Sequence, residues 1–160
     1  MSRAFVKEDD QNVAPLPDRP VSTERNLVTP RGLRLIERKV AEHQGALAAA
    51  TATGEREALG RASRELRYWS ARRATAELAR PPAAPARVVF GTAVTIERDD
   101  GTAVTFELVG EDEADPAAGR IAWTTPVARA LLGGEVGEVR ALPTGQVEIL
   151  AIAAIAARSD

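Results

Sequence analysis

Residues 29–78 read TPRGLRLIERKVAEHQGALAAATATGEREALGRASRELRYWSARRATAEL. Thr29 is a side chain that caps the free backbone N–H groups of a helix start, and Pro30 at the first helical position gives up no needed donor. Beyond it, Leu33, Ile36, Val40, His43, Leu47 and Ala50 recur at alternating steps of three and four. That spacing is a seam along one helix face. Arg34, Glu37, Arg38 and Glu42 fill the other face. Thr51-Ala52-Thr53-Gly54 interrupts the pattern, and a second helix over residues 55–78 carries its own seam of Leu59, Ala62, Leu66, Trp69, Arg73 and Ala76. Two seamed helices with a short glycine-containing break predict an antiparallel helical hairpin of coiled-coil type over residues 29–80. At 1.5 Å per residue the first helix is roughly 31 Å long. Gly45 and Gly60 weaken the helices by about 1 kcal/mol each against alanine. His43 sits on the first seam and reads as a packed filler, and Trp69 as a side chain packed into the hairpin or its base.

Outward from the hairpin the character of the chain changes. Residues 1–28 contain Pro15, Pro17 and Pro20, several charges and no apolar period, so they read as an extended or disordered arm in which Phe5 and Val6 are the residues able to dock. Residues 81–86 open with Pro81-Pro82 and include Pro85, a stiff linker that ends the second helix. Residues 87–157 then read as strands. A strand over 88–97 alternates from Thr92, with Gly91 marking a bend. Asp99-Asp100-Gly101 is a hairpin turn, and Val104, Phe106 and Leu108 alternate on the return. A short strand over 120–123, a short helix over 127–132 opened by Pro126, and a last hairpin over 139–155 around Pro143-Thr144-Gly145 complete a small α+β domain.

Composition removes several kinds of chemistry. The 160 residues include no cysteine and one histidine, so disulfides, thiolate nucleophiles, Cys-ligated metals and His-built triads have nothing to work with. No cofactor and no bound metal are expected. No stretch reaches the roughly 18 apolar residues of a membrane span, and the charged first ten residues lack the apolar core of a secretory signal. The expectation is a cytoplasmic protein with no membrane contact, monomeric when free. Net charge is −2 but segregated. Residues 31–80 carry 11 basic and 6 acidic residues, a balance of +5, whereas residues 85–160 carry 6 basic and 12 acidic, a balance of −6. Opposite signs on two modules point to different contacts for each.

The second module resembles the C-terminal domain of the GreA/GreB transcript-cleavage factors. The carriers are VFGTAVT at 89–95, FELVGEDEAD at 106–115, GRI at 119–121, TTPVARALLG at 124–133 and VGEV at 136–139. Thr125 stands where that family usually has serine before the proline. Thr29-Pro30-Arg31-Gly32-Leu33 resembles the family's helix start more loosely. The resemblance implies an FKBP-like fold for the domain, docked on a coiled coil at the rim of the secondary channel of bacterial RNA polymerase, with the hairpin inside the channel. It puts Asp112, Glu113 and Asp115, with Thr125, Pro126 and Arg129, near the polymerase-docking surface. Without it, the three acids read as a solvated turn. Arg61, Arg64, Arg67, Arg72 and Arg73 read singly as solvated side chains and together as a basic stripe facing RNA at its 3′ end or DNA.

Cleavage-competent members resemble one another at the hairpin tip, where Asp-x-x-Glu-Asn-Ala-(Asp/Glu)-Tyr supplies two carboxylates for a Mg²⁺ ion in the polymerase active site. Here the turn reads Gly54-Glu55-Arg56-Glu57-Ala58-Leu59-Gly60, without aspartate, a Glu-Asn pair or a tyrosine. The hairpin is also shorter than that family's by something like ten residues per helix, roughly 15 Å of reach. The expectation is a polymerase-binding regulator that is not itself an enzyme and does not stimulate cleavage. Glu55 and Glu57 then read as first-turn glutamates favoured by the helix dipole. The alternatives are a cleavage factor that uses Glu55 and Glu57 with polymerase-bound Mg²⁺, a prolyl isomerase argued from fold alone, and a hairpin that binds a different partner.

Overall fold

The computed structural model describes residues 15–156. Phe5 and Val6 lie outside the described residues. The architecture is α+β: a helical hairpin followed by a five-stranded sheet with one short helix.

Helix α1 runs Pro30–Thr53 and α2 runs Arg56–Ala74, about 36 Å and 28 Å at 1.5 Å per residue. Thr29 caps α1 as its chemistry dictates, accepting from the Gly32 N–H at 3.0 Å. Gly54 ends α1 in the left-handed region at φ 70, a conformation that favours glycine because it has no Cβ. The α1 seam is buried at Ile36, Val40 and Ala50 and half-buried at Leu33, His43 and Leu47. On α2 the seam holds at Ala62, Leu66 and Trp69 and then shifts. Arg73, expected on it, is exposed, and Arg72 is buried in its place. Leu59 near the turn is 39% exposed, because few α1 residues remain opposite it there.

The second helix stops at Ala74, four residues short of the sequence expectation. The physical reason is a competing partner from the N-terminal side. The Asn26 side-chain amide donates to the Arg72 carbonyl at 2.7 Å, closing the helix end. The chain beyond it becomes a two-residue strand β2 (Glu77–Leu78), parallel to β1 (Leu27–Val28). The Glu77 N–H donates to the Asn26 carbonyl at 2.8 Å and the Ala79 N–H to the Val28 carbonyl at 3.0 Å.

In the second module β3 (Thr92–Arg98), β4 (Ala103–Val109), β5 (Arg120–Ala122), β6 (Val139–Leu142) and β7 (Gly145–Ala154) form one sheet in the order β5-β4-β3-β7-β6. All neighbours are antiparallel except β4 and β5. Helix α3 (Pro126–Leu131) covers one face, burying Ala128 and Leu131 against Val94, Ile96, Leu108, Val147 and Ile149. A second, separate cluster of Val28, Ile36, Val40 and Trp69 holds the hairpin base. With so few aromatics, Trp69 dominates that smaller core, so Trp69→Ala should cost about 3–5 kcal/mol. Chemical denaturation of the variant, followed by the helical circular-dichroism signal, measures this.

Candidate functional site

The two modules meet at a polar joint. The turn after β4 opens with a 3-10 helix, Glu111–Glu113, whose three acids all point at the hairpin base or its flanks. One Asp112 oxygen accepts the Tyr68 hydroxyl at 2.5 Å, and the other accepts Arg72 Nε at 2.5 Å. One Glu113 oxygen accepts the Thr29 hydroxyl at 2.6 Å, and the other accepts Arg31 Nε at 2.5 Å. Arg31 also donates to Glu107 on β4 at 2.8 Å. Glu111 accepts from Ser22 at 3.0 Å and from Thr124 at 3.2 Å, and lies 3.5 Å from Arg72.

Two glycines let these parts approach. A Cβ on Gly32 would lie 2.7 Å from the Glu113 carboxylate, and one on Gly110 would lie 2.5 Å from the Leu27 carbonyl oxygen. At Gly110 the contact is with backbone, so the two chains close there only because a side chain is absent, whereas at Gly32 a side chain would push the Glu113 carboxylate off its partners. The electrostatics follow from the burial. Burial opposes the Arg31 charge, but the hydrogen bonds to Glu107 and Glu113 outweigh it and raise its pKa. Burial pushes the Tyr68 phenol up to about 12, helped by its hydrogen bond to Asp112.

This geometry corrects part of the expected site. Asp112 and Glu113, expected on a docking surface, have side chains only 8% and 5% exposed and are consumed inside the molecule. Arg72 is 1% exposed and cannot face nucleic acid while it holds Asp112. The cause is shared: in the folded chain opposite charges on the two modules find each other before they find a partner. The remaining arginines do not form one stripe. At about 100° per residue, Arg67 and Arg73 lie roughly 120° to either side of Arg61 around the helix. Arg61 is exposed and pairs with Glu57 at 3.3 Å, Arg64 is half-buried, and Arg67 pairs with Asp18 at 2.7 Å. Arg73 is exposed with no ion pair among the described residues.

The other predicted residues gather at the start of α3. Thr125 caps that helix, accepting from the Ala128 N–H at 3.3 Å and donating to the Ala122 carbonyl at 2.8 Å. Pro126 is exposed, and Arg129 reaches back to the Thr124 carbonyl at 2.9 Å and across to Glu24 at 2.8 Å. Asp115 pairs locally with Arg120 at 2.9 Å. At the hairpin tip Glu55 and Glu57 are exposed, and among the described residues no three His, Cys, Asp or Glu side chains stand together as a metal site. Sequence reasoning missed Arg31, Tyr68 and Glu107. The closest signal was Gly32 three residues after the cap, a place where a close approach was needed.

Two outcomes test the joint. Arg72→Ala leaves Asp112 buried without its cation and should cost about 3–5 kcal/mol in unfolding free energy, read by urea titration. The raised Tyr68 pKa has a definite sign. Above its unfolded value near 10 the free phenol loses its proton while the folded one keeps it, so stability falls as pH rises from about 10 to about 12. Thermal midpoints across that window should drop less steeply in Tyr68→Phe.

Residues 83–155 match the family model described as transcription elongation factor GreA/GreB, C-terminal. The transcription elongation factor GreA of Ralstonia nicotianae is 43% identical over 68 residues, covering 41% of this chain and 43% of that protein. GreA of Methylococcus capsulatus is 50% identical over 54 residues, covering 33% and 34%. The chain therefore spans less than half the length of these curated relatives. Among solved structures, GreA factor homolog 1 of Thermus thermophilus overlaps 81% of this chain and 99% of its own, at 19% identity and a TM-score of 0.39. Residues 83–155 of this chain are thus similar to the C-terminal domain of the GreA/GreB transcription elongation factors.

Proposed function

We propose that this chain is a transcription elongation factor of GreA/GreB type that binds bacterial RNA polymerase at its secondary channel and regulates transcription without stimulating RNA cleavage. The observation that carries the second half is the hairpin tip. Its acids, Glu55 and Glu57, are exposed, and the Glu57 side chain already faces Arg61. A Mg²⁺ ion demands a tight octahedron of oxygens at about 2.1 Å. Two solvated glutamates beside an arginine are poorly arranged to complete one. The rod is narrow enough for a pore that would exclude the sheet domain, and its longer helix is about 36 Å.

Support for the first half is the GreA/GreB-like domain and the exposed corner at Pro126 and Arg129, where Arg129 is held by a surface pair with Glu24. On this reading the sheet domain docks at the channel rim. The hairpin occupies the channel, and occupancy itself is the regulatory act. The exposed arginines of α2 add salt-dependent attraction to RNA or DNA.

The test has two stages. Core polymerase should be retained by the immobilised full chain, with retention reduced about tenfold by Pro126→Ala combined with Arg129→Glu, a loss of about 1.4 kcal/mol. A backtracked elongation complex incubated with the protein should show no shortening of its transcript. Shortening that disappears in Glu55→Gln/Glu57→Gln would establish the opposite reading.

A further inference from the structure

The segment immediately before β1 crosses from the hairpin to the sheet domain and covers surface on both. Asp18 pairs with Arg67 on α2 at 2.7 Å. Arg19 pairs with Glu65 at 2.6 Å and lies over the Tyr68 ring, 3.7 Å from its centroid. Ser22 donates to Glu111 at 3.0 Å. Glu24 takes Arg129 on α3 at 2.8 Å. The strap's acids thus occupy two cations that stand on different modules.

We propose that residues 18–24 are an intramolecular latch, and that Arg67 and Arg129 beneath it are a docking surface for an acidic protein segment. The strap itself displays the chemistry that fits: carboxylates six residues apart, set on two exposed guanidinium groups. Three features favour a latch over a permanent part of the fold. The Asp18–Arg67 and Glu24–Arg129 pairs are half-exposed on both sides, with side-chain exposures of 70% and 53% for the first and 44% and 53% for the second. Pairs of that kind hold weakly. The strap has no regular secondary structure between residues 15 and 26, so few backbone bonds resist its removal. Its firm anchors are Arg19, held by Glu65 and the Tyr68 ring, and its C-terminal end, where Asn26 is buried and β1 pairs with β2. An acidic partner can therefore compete with Asp18 and Glu24 for their arginines, and lifting the rest of the strap breaks the Arg19–Glu65 pair as well, while the hairpin base stays closed.

The inference rests on the polymerase-binding reading, and the acidic segment is placed on the polymerase. The experiment uses the full chain, as wild type, as Asp18→Asn/Glu24→Gln, and as Glu97→Gln/Glu148→Gln. The last changes net charge equally at exposed sheet positions. Hydrogen exchange on the free proteins should show residues 18–24 less protected in the first variant alone. Core polymerase should then bind that variant severalfold more tightly than wild type or the charge-matched control. Adding Arg67→Ala, which lies outside the Pro126–Arg129 corner, should reduce the gain. Unchanged protection, unchanged affinity, or an equal gain in the control would overturn the latch while leaving polymerase binding intact. No binding by any variant would overturn both.

Discussion

The hairpin and the sheet domain have separate apolar cores, and what fixes one against the other is the set of carboxylates at Asp112 and Glu113. Each uses both oxygens on groups from the hairpin base: Tyr68 and Arg72 for the first, Thr29 and Arg31 for the second. Removing such charges from water costs several kcal/mol per ion, recovered only when geometry and hydrogen bonds are complete. Apolar contact in the same place would bind as well but would slide. Directional bonds to both oxygens of each carboxylate set the angle at which the rod leaves the domain.

That constraint reorganises the surface. The acidic loop and the basic hairpin, read as two faces for two partners, spend much of their charge on each other. What stays outside is smaller and more specific: the α3 corner with Pro126 and Arg129, the exposed arginines of α2, and a tip whose glutamates are solvated. The N-terminal strap then lies over part of even that surface. Its weak outer pairs and firm inner anchor give the chain a means of uncovering cations without loosening its base.

Much of this was legible in the residues. Thr29 and Pro30 started a helix because capping and a fixed φ are local properties. Gly54 ended it, and Gly101 turned the strand pair, because positive φ is a local demand on one residue. The seam of α1 was visible because a helix averages its environment over many turns. Arg73 was placed on the α2 seam where Arg72 belongs, for two reasons. A 3-4 spacing drifts against 3.6 residues per turn. At the base, moreover, the partner of α2 is no longer α1 but the acidic loop some 40 residues away, so the buried position there is a cation.

By itself, then, the order of residues determined the hairpin, the small α+β domain, the family signature in residues 83–155 and the lack of a carboxylate motif at the tip. Each depends on neighbours within a few turns or one strand pair. Only tertiary structure decided which charges remain free. Arg72 is an exposed helix cation in the sequence and a buried ligand of Asp112 in the fold. Asp18 and Glu24 belong to a featureless arm in the sequence and pair with two arginines in the fold. Coulomb attraction and desolvation act through space between residues 40 to 105 positions apart, and no local pattern records that distance.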